Sequence, residues 1–459
     1  MYRFKQLILL GGDLIAFFCA FLLSLSLRNF DIPDIEKVTS NLSLFFFVFL
    51  LWIVINYING LYDLKLIHAE DRYKRIFGTA LFSFIAGVAF FYILPSRNIT
   101  PKTILVLTVI FGYVFAAGWR GLYNILIGDK KLKTRILFLG YTKEVKELLD
   151  ILKKEPNIGY QACVLIDPEH IIKSQDHPNI DVYHNLTALR PSITTNHINT
   201  IVTSPHLDEK ADVMREMYEL LFWPVNIVDL TSFYETITGR IPPATFSESW
   251  FIKNIRNTER PVYNKFRRLF DIFSAMCFGI IFLVLSPLLI LGIKYTSKGP
   301  VFFKQKRIGE GETIFWMYKL RTMYALSEDG SAETKGAEFA KKDDKRITWV
   351  GKFLRKTRLD ELPQAWNLLK GDITLIGPRP ERPEIVEKLM EQMPYYPLRH
   401  TVKPGITGWA AVHQHYTDTL ETSLQKLQYD LFYIKNRSFI MDLSIVLKTI
   451  RVVLRGMGQ

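Results

Sequence analysis

The feature that most limits what this chain can become is a set of four apolar runs near its start, at residues 7–27, 42–61, 76–95 and 103–119. Each approaches the roughly 20 residues that carry a helix across the hydrocarbon core of a bilayer, where backbone groups must be satisfied within the segment itself. Four spanning helices are expected. The first run is too long for the apolar core of a signal peptide and no small-residue cleavage site follows it, so it is expected to stay as an anchor. Arg3 and Lys5 precede it, Lys65, Arg72, Lys74 and Arg75 separate the second and third runs, and Arg120, Lys130, Lys131, Lys133 and Arg135 follow the fourth. The other two loops carry only Arg28, Lys37, Arg97 and Lys102, an asymmetry that predicts both ends of the bundle on the cytoplasmic side. Asp13, inside the first run, reads as a residue near the interface rather than as a polar contact within the bundle, and no role is assigned to it.

A net charge of +13 would suit nucleic acid, lipid headgroups or phosphorylated substrates alike. The apolar runs select the lipid bilayer, and no nucleic-acid partner is expected. At 459 residues the chain exceeds what one core organises, so several units are expected. Its three cysteines, Cys19, Cys163 and Cys277, lie in apolar stretches without ligand spacing, which argues against a disulfide framework or a zinc site.

Beyond residue 130 the pattern changes. Strands are expected at 135–140, 160–166, 199–203 and 224–229, with helices at 143–154 and 208–222, which together make a small parallel α/β sheet. The turn after the first strand, Gly140-Tyr141-Thr142-Lys143, lacks the second and third glycines that let backbone approach a pyrophosphate. A working dinucleotide site is therefore not expected, and a scaffold or self-association role is expected in preference to regulatory ligand binding, with a homodimer left open. A fifth apolar run, 269–293, has Lys265, Arg267 and Arg268 before it and Lys294 and Lys298 after it. Cations at both ends, with Ser286-Pro287 inside, predict a helix broken at the proline that dips into one leaflet and returns, rather than a simple span.

The segment after Pro300 carries the chemistry. Two strands are expected around Gly309-Glu310-Gly311, the second ending at Lys319 and Arg321, which alternation would put on one face as a phosphate-facing pair. Eight Lys or Arg residues between 341 and 358 lead into Leu359-Asp360-Glu361-Leu362-Pro363-Gln364. Pro363 suits the first turn of a helix with Leu362, Trp366 and Leu369 on its apolar face and the two acids at its N-terminus. Such acids could merely complement the helix dipole. Alternatively, one carboxylate attacks phosphorus to give an acyl phosphate while its neighbour holds magnesium against the diphosphate.

The remaining motifs decide between these. Through RRLFD, SP, YKLRTM, LDELPQ, GDITLIGPRP and KPGITGW, residues 265–459 resemble the bacterial sugar transferase family, the monotopic polyprenyl-phosphate hexose-1-phosphate transferases. The four N-terminal runs resemble the large subclass of that family. The resemblance implies a re-entrant helix broken at Ser286-Pro287, a catalytic and metal-binding dyad at Asp360 and Glu361, dependence on Mg2+ and a covalent phosphosugar-aspartyl intermediate. It implies that Lys319, Arg321, Arg355 and Arg379 contact the diphosphate or prenyl phosphate, with Arg382 the weaker candidate. It also implies a UDP-sugar and undecaprenyl phosphate as substrates, giving undecaprenyl-diphospho-sugar and UMP. That would be the first membrane step of exopolysaccharide, capsule or O-antigen synthesis, at the cytoplasmic face of the bacterial inner membrane. Arg358 stands where that family commonly has a small hydroxyl residue, and Ala411 and His413 stand where Gln and Asn are expected, so the sugar stays open. The rival readings are a non-catalytic membrane scaffold of polysaccharide assembly and a UDP-releasing glycosyltransferase. The second would need a D-x-D motif, which Asp343-Asp344 does not supply.

The expected fold class is a membrane α-helical bundle (1–130), an α/β Rossmann-like domain (131–235), a connector (236–264) with Pro242 and Pro243, and an α+β catalytic domain (265–459). The last contains the re-entrant membrane helix (267–297) and a C-terminal interfacial helix over 438–454.

Overall fold

A computed structural model describes residues 2–29, 31–62, 72–93, 102–127, 133–155, 158–172, 180–207, 210–255, 260–325, 344, 346–414 and 419–454. Lys65, Arg97, Lys130 and Lys131, which enter the orientation argument, and Asp343 lie outside the described residues. The chain divides into two compact units, Met1–Phe233 and Tyr234–Gln459.

In the first unit the four apolar runs form α1 (Tyr2–Asn29), α2 (Ile35–Ile58), α3 (Arg72–Ile93) and α4 (Lys102–Ile127). All four are long and apolar enough to cross a membrane. Phe17, Phe21, Phe45, Phe49 and Trp52 pack ring against ring between α1 and α2. The bundle corrects the reading of Asp13 as an interface residue. It is fully buried, and its Oδ2 accepts from Arg120 Nη2 at 2.6 Å and Asn56 Nδ2 at 3.2 Å. Tyr113 donates to Asn56 Oδ1 (2.7 Å) and shares a hydrogen bond with Ser83 (2.6 Å), whose carbonyl accepts from Trp52 Nε1 (2.9 Å). One polar chain thus ties all four helices together, because each buried polar group without a partner would be costly in an apolar interior.

The same unit continues into a five-stranded, all-parallel sheet of β1 (Thr134–Leu139), β2 (Tyr160–Ile166), β3 (Asp181–Tyr183), β4 (Thr200–Thr203) and β5 (Asn226–Asp229) in the order β3-β2-β1-β4-β5. Helices α5 (Lys143–Lys154), α6 (Leu189–Thr195) and α7 (Ala211–Leu220) connect the strands. Helix α5 shows why: Thr142 caps it by accepting from Val145 N, and Val145, Leu148, Leu149 and Leu152 recur on one buried face. Gly140 has φ +91°, and a Cβ there would meet Leu207 and Ser204, so side chains from the loop after β4 fill the space beside the first turn.

Helix α8 (Leu230–Thr238) leads into the second unit, followed by α9 (Glu248–Asn254) and the 36-residue α10 (Pro261–Thr296). Helix α10 is also apolar enough to cross a membrane, but at about 1.5 Å per residue it is far longer than a bilayer core of about 30 Å requires. The break expected at Ser286-Pro287 is not an interruption, since the helix continues through Pro287. Proline leaves the carbonyl four residues back without its amide donor. That carbonyl, on Leu283, accepts instead from Ser286 Oγ at 3.0 Å. Both ends of α10 are fastened to the same unit. Arg268 donates to the Leu368 and Leu369 carbonyls, and Asp271 accepts from Thr374 Oγ1 and Leu375 N. Beyond the proline, Leu289 and Ile293 pack on Leu320, Val350 and Leu354.

The rest comprises the hairpin β6 (Phe302–Ile308) and β7 (Ile314–Leu320), α11 (Trp349–Thr357), a 3-10 turn (Leu359–Gln364), α12 (Ala365–Lys370), β8 (Thr374–Ile376), α13 (Pro383–Gln392), β9 (Gly405–Thr407), α14 (Trp409–His413), α15 (Leu420–Asn436) and α16 (Phe439–Leu454). Strands β8 and β9 pair in parallel so closely that a Cβ on Gly405 would overlap the backbone of Gly377.

Candidate functional site

The two acids do not begin an α-helix as expected. They lie within the 3-10 turn between α11 and α12. Arg358, in left-handed backbone, ends α11 and reverses the chain into that turn. The turn is fixed from both sides. Thr348 caps α11 and its amide donates to the Thr322 carbonyl at 3.0 Å, while Asn367 of α12 bonds Trp316 O and Tyr318 N of β7 at 2.7 and 3.2 Å. Ala365, Asn367 and Leu368 are buried, whereas Trp366 and Leu369, two of the residues expected on the apolar face, are exposed.

The dyad is asymmetric. Glu361, 9% exposed, presents Oε1 to three cations: Arg379 Nη2 at 2.7 Å, Arg358 Nη1 at 3.3 Å and Lys319 Nζ at 3.7 Å. Burial alone would raise its pKa, but Arg379, Lys319 and Arg358 together outweigh it and hold the carboxyl below the usual carboxylate range. Asp360 is also buried, yet among the described residues its Oδ1 has no hydrogen-bond partner. Burial, and then the charge of Glu361, push Asp360 up to about 6, against the opposing pull of Lys319, Arg355 and Arg358. Burial also lowers Lys319, to about 8, with Glu361 opposing.

Of the sequence-derived phosphate contacts, Lys319 and Arg379 reach the dyad. Arg355 is near enough for the charge of Asp360 to act on it, and its Nε donates to Thr322 Oγ1 at 2.9 Å. Arg321 is not brought to the dyad. Strand β7 ends at Leu320, so alternation no longer governs the next residue, and Arg321 turns to donate to the Ser297 and Lys298 carbonyls at the end of α10. Arg382 stands at the N-cap position of α13 without a side-chain cap bond, and its Nε donates to Glu384 Oε2 at 3.3 Å. Ser286 and Pro287 lie within α10, as described above.

Sequence reasoning missed the group that holds Arg379 in place. Arg399, 1% exposed, donates from Nη2 to the Arg379 carbonyl at 2.9 Å while bonding Asp430 and Tyr396. Arg307 donates to the Pro380 carbonyl at 3.0 Å. Glu381 sits among Lys426, Arg307 and Arg399, whose charges overcome burial and lower its carboxyl to about 2.

Among the described residues no three His, Cys, Asp or Glu side chains are grouped to hold a metal. The dyad nevertheless fits magnesium, which binds through one or two carboxylates together with water and substrate phosphates. The unpartnered, buried Asp360 oxygen is the kind of atom such an ion would satisfy.

The family model described as bacterial sugar transferase matches residues 262–456. The chain is 42% identical over 227 residues to the UDP-N-acetylgalactosamine-undecaprenyl-phosphate N-acetylgalactosaminephosphotransferase of Aeromonas hydrophila, a match covering 49% of this chain and 51% of the relative, about half the length of each. It is 29% identical over 383 residues to the UDP-glucose:undecaprenyl-phosphate glucose-1-phosphate transferase of Klebsiella pneumoniae, covering 80% and 78%. With the uncharacterized sugar transferase EpsL of Bacillus subtilis it shares 38% identity over 200 residues, 42% of this chain and 89% of that protein. Dyad and basic cluster lie within residues 262–456, which the family model matches, and the chain belongs to the bacterial sugar transferase family.

Proposed function

We propose that this chain transfers a sugar phosphate from a UDP-sugar to undecaprenyl phosphate, releasing UMP, in the opening membrane step of exopolysaccharide, capsule or O-antigen synthesis. The observation that carries the mechanism is the asymmetry of the dyad: Glu361 is engaged by three cations while one oxygen of Asp360 is unpartnered. Asp360 is the nucleophile. A carboxylate oxygen of Asp360 attacks the phosphorus bearing the sugar, the bond from that phosphorus to the bridging oxygen breaks, and UMP leaves with the electron pair. An oxygen of undecaprenyl phosphate then attacks the same phosphorus, the acyl-phosphate bond breaks, and the Asp360 carboxylate returns. Glu361 keeps Arg379 and Lys319 aimed at the phosphates, where preorganised charge stabilises the pentavalent transition state. Magnesium would be held by Asp360 and Glu361 and would supply neutralisation of the diphosphate charge.

Placement at the cytoplasmic face of the bacterial inner membrane, with α10 as a re-entrant element, belongs to the same proposal. Its supports are the fastening of both ends of α10 to one unit and the exposed apolar side chains along it, including Leu269, Phe273, Ile280, Leu283, Leu288 and Leu291. The deciding experiment gives detergent-solubilised protein a panel of UDP-sugars with undecaprenyl phosphate and separates UMP from UDP. UMP release that vanishes in Asp360→Asn is expected. UDP release would indicate a conventional glycosyltransferase, and no release from any sugar would favour the scaffold.

A further inference from the structure

Arg358 is in the wrong conformation for an arginine that serves only as a helix end. Its backbone is left-handed (φ +60°, ψ +16°), which glycine adopts freely and a residue with a Cβ does not. The turn needs this conformation, since the Arg358 amide donates to Arg355 O at 3.3 Å and its carbonyl accepts from Glu361 N at 3.2 Å. Glycine would make both bonds equally well, so the side chain must be explained separately. That side chain folds back across the turn to Glu361 Oε1, an oxygen already bonded more closely by Arg379. Among the described residues its guanidinium has no other bond, although it carries five N–H donors. At 36% side-chain exposure it is, with Arg379 at 34%, among the more open of the three cations on Glu361, Lys319 being 21% exposed. An exposed guanidinium with one long bond and idle donors, held beside two buried acids by strained backbone, is arranged to exchange its partner.

We propose that Arg358 is a further phosphate-contacting residue of this site, its guanidinium moving from Glu361 to the phosphate oxygens of an incoming substrate. The inference rests on the phosphoglycosyl transfer proposed above. The ligand chemistry is a phosphate oxyanion with two sources, the diphosphate of the nucleotide sugar or the terminal phosphate of the lipid acceptor. The exchange breaks the longer of the two arginine contacts on Glu361 and keeps Arg379 in place, so substrate binding does not release the acid.

The test uses the full-length chain in detergent with Arg358→Gly, Arg358→Gln and Arg358→Lys. UMP release is measured while UDP-sugar is varied at saturating undecaprenyl phosphate, and then the reverse. Arg358→Gly relieves the backbone, so its unfolding midpoint should equal or exceed that of the wild type, yet KM for the contacted substrate should rise about 10- to 100-fold, the loss of one charged hydrogen bond. Arg358→Lys should recover part of this and Arg358→Gln none. A rise in KM for the UDP-sugar assigns the contact to the diphosphate, and a rise for undecaprenyl phosphate assigns it to the acceptor. If both KM values of Arg358→Gly and of Arg358→Gln stay within about two-fold of the wild type, the arginine is only a cap and the inference is overturned. Should the glycine variant fail to fold, Arg358→Gln, which leaves the backbone as it is, decides alone. A wild type that releases no UMP overturns the underlying activity, a result distinct from an active wild type with indifferent variants.

Discussion

Adjacent acids in this dyad should respond to neutralisation with opposite changes in stability. Burial and the adjacent Glu361 charge push the Asp360 carboxyl up to about 6, above the ordinary 3.8, so keeping it ionised destabilises the folded state, by an amount on the order of a few kcal/mol. Because the folded state binds the extra proton between those values, the penalty is fully present above pH 6, shrinks as pH falls, and is gone below about pH 4. Glu361 shares the titration, which brings the expected gain for Asp360→Asn to about 1–3 kcal/mol at pH 7.5. Glu361→Gln should go the other way. That carboxylate is held low by three cations, so its contribution is present above the ordinary glutamate range and is lost only in strong acid. Its removal leaves Arg379, Lys319 and Arg358 without their anion, at a cost of about 3 kcal/mol or more. The assay is thermal unfolding of purified protein in magnesium-free detergent buffer at pH 7.5 and pH 4, following the transition of the catalytic unit, where about 2–4 °C corresponds to each kcal/mol. An Asp360→Asn midpoint below that of the wild type at pH 7.5, or a gain equally large at pH 4, would refute the argument that burial and Glu361 load Asp360 with unfavourable charge.

Chelation of magnesium by excess EDTA should stop UMP release, and restoring the ion should restore it; an unchanged rate would remove the metal from the reaction. Replacing Ser286-Pro287 by Leu-Leu should favour a full span by α10. In a background without the three native cysteines, single cysteines at 265 and 298 should both resist a membrane-impermeant maleimide in wild-type cells stripped of their outer barrier. In the Leu-Leu variant position 298 should label and activity should collapse, whereas labelling of 298 in the wild type would eliminate the re-entrant reading.

How much of this was legible depended on how far apart the interacting residues lie. Four helices follow from runs of near-membrane length, and the parallel sheet follows from alternating strand and helix patterns, because both signals are local. Asp360 and Glu361 are singled out in the sequence by the ordered motifs around them. The backbone carrying them was not legible, because a left-handed arginine leaves no compositional mark. Lys319 and Arg321 separated because the strand stops between them, a boundary error of one residue that redirects a side chain to a different partner. Arg399 and Asp430 pair across 31 positions, and Asp13 and Arg120 across 107. Nothing in either neighbourhood announces the partner.

That last separation has a consequence in time. Asp13 leaves the ribosome 107 residues ahead of Arg120, about 5–20 s at ordinary synthesis rates. Throughout that interval an aspartate sits in a nascent membrane helix, where insertion costs about 2.5–3.5 kcal/mol. Asn56, 43 residues behind, can offer a first, neutral hydrogen bond, and only the arrival of α4 brings the balancing charge. A chain that stalls before Arg120 therefore leaves the Asp13 carboxylate without the cation that balances it in the finished bundle.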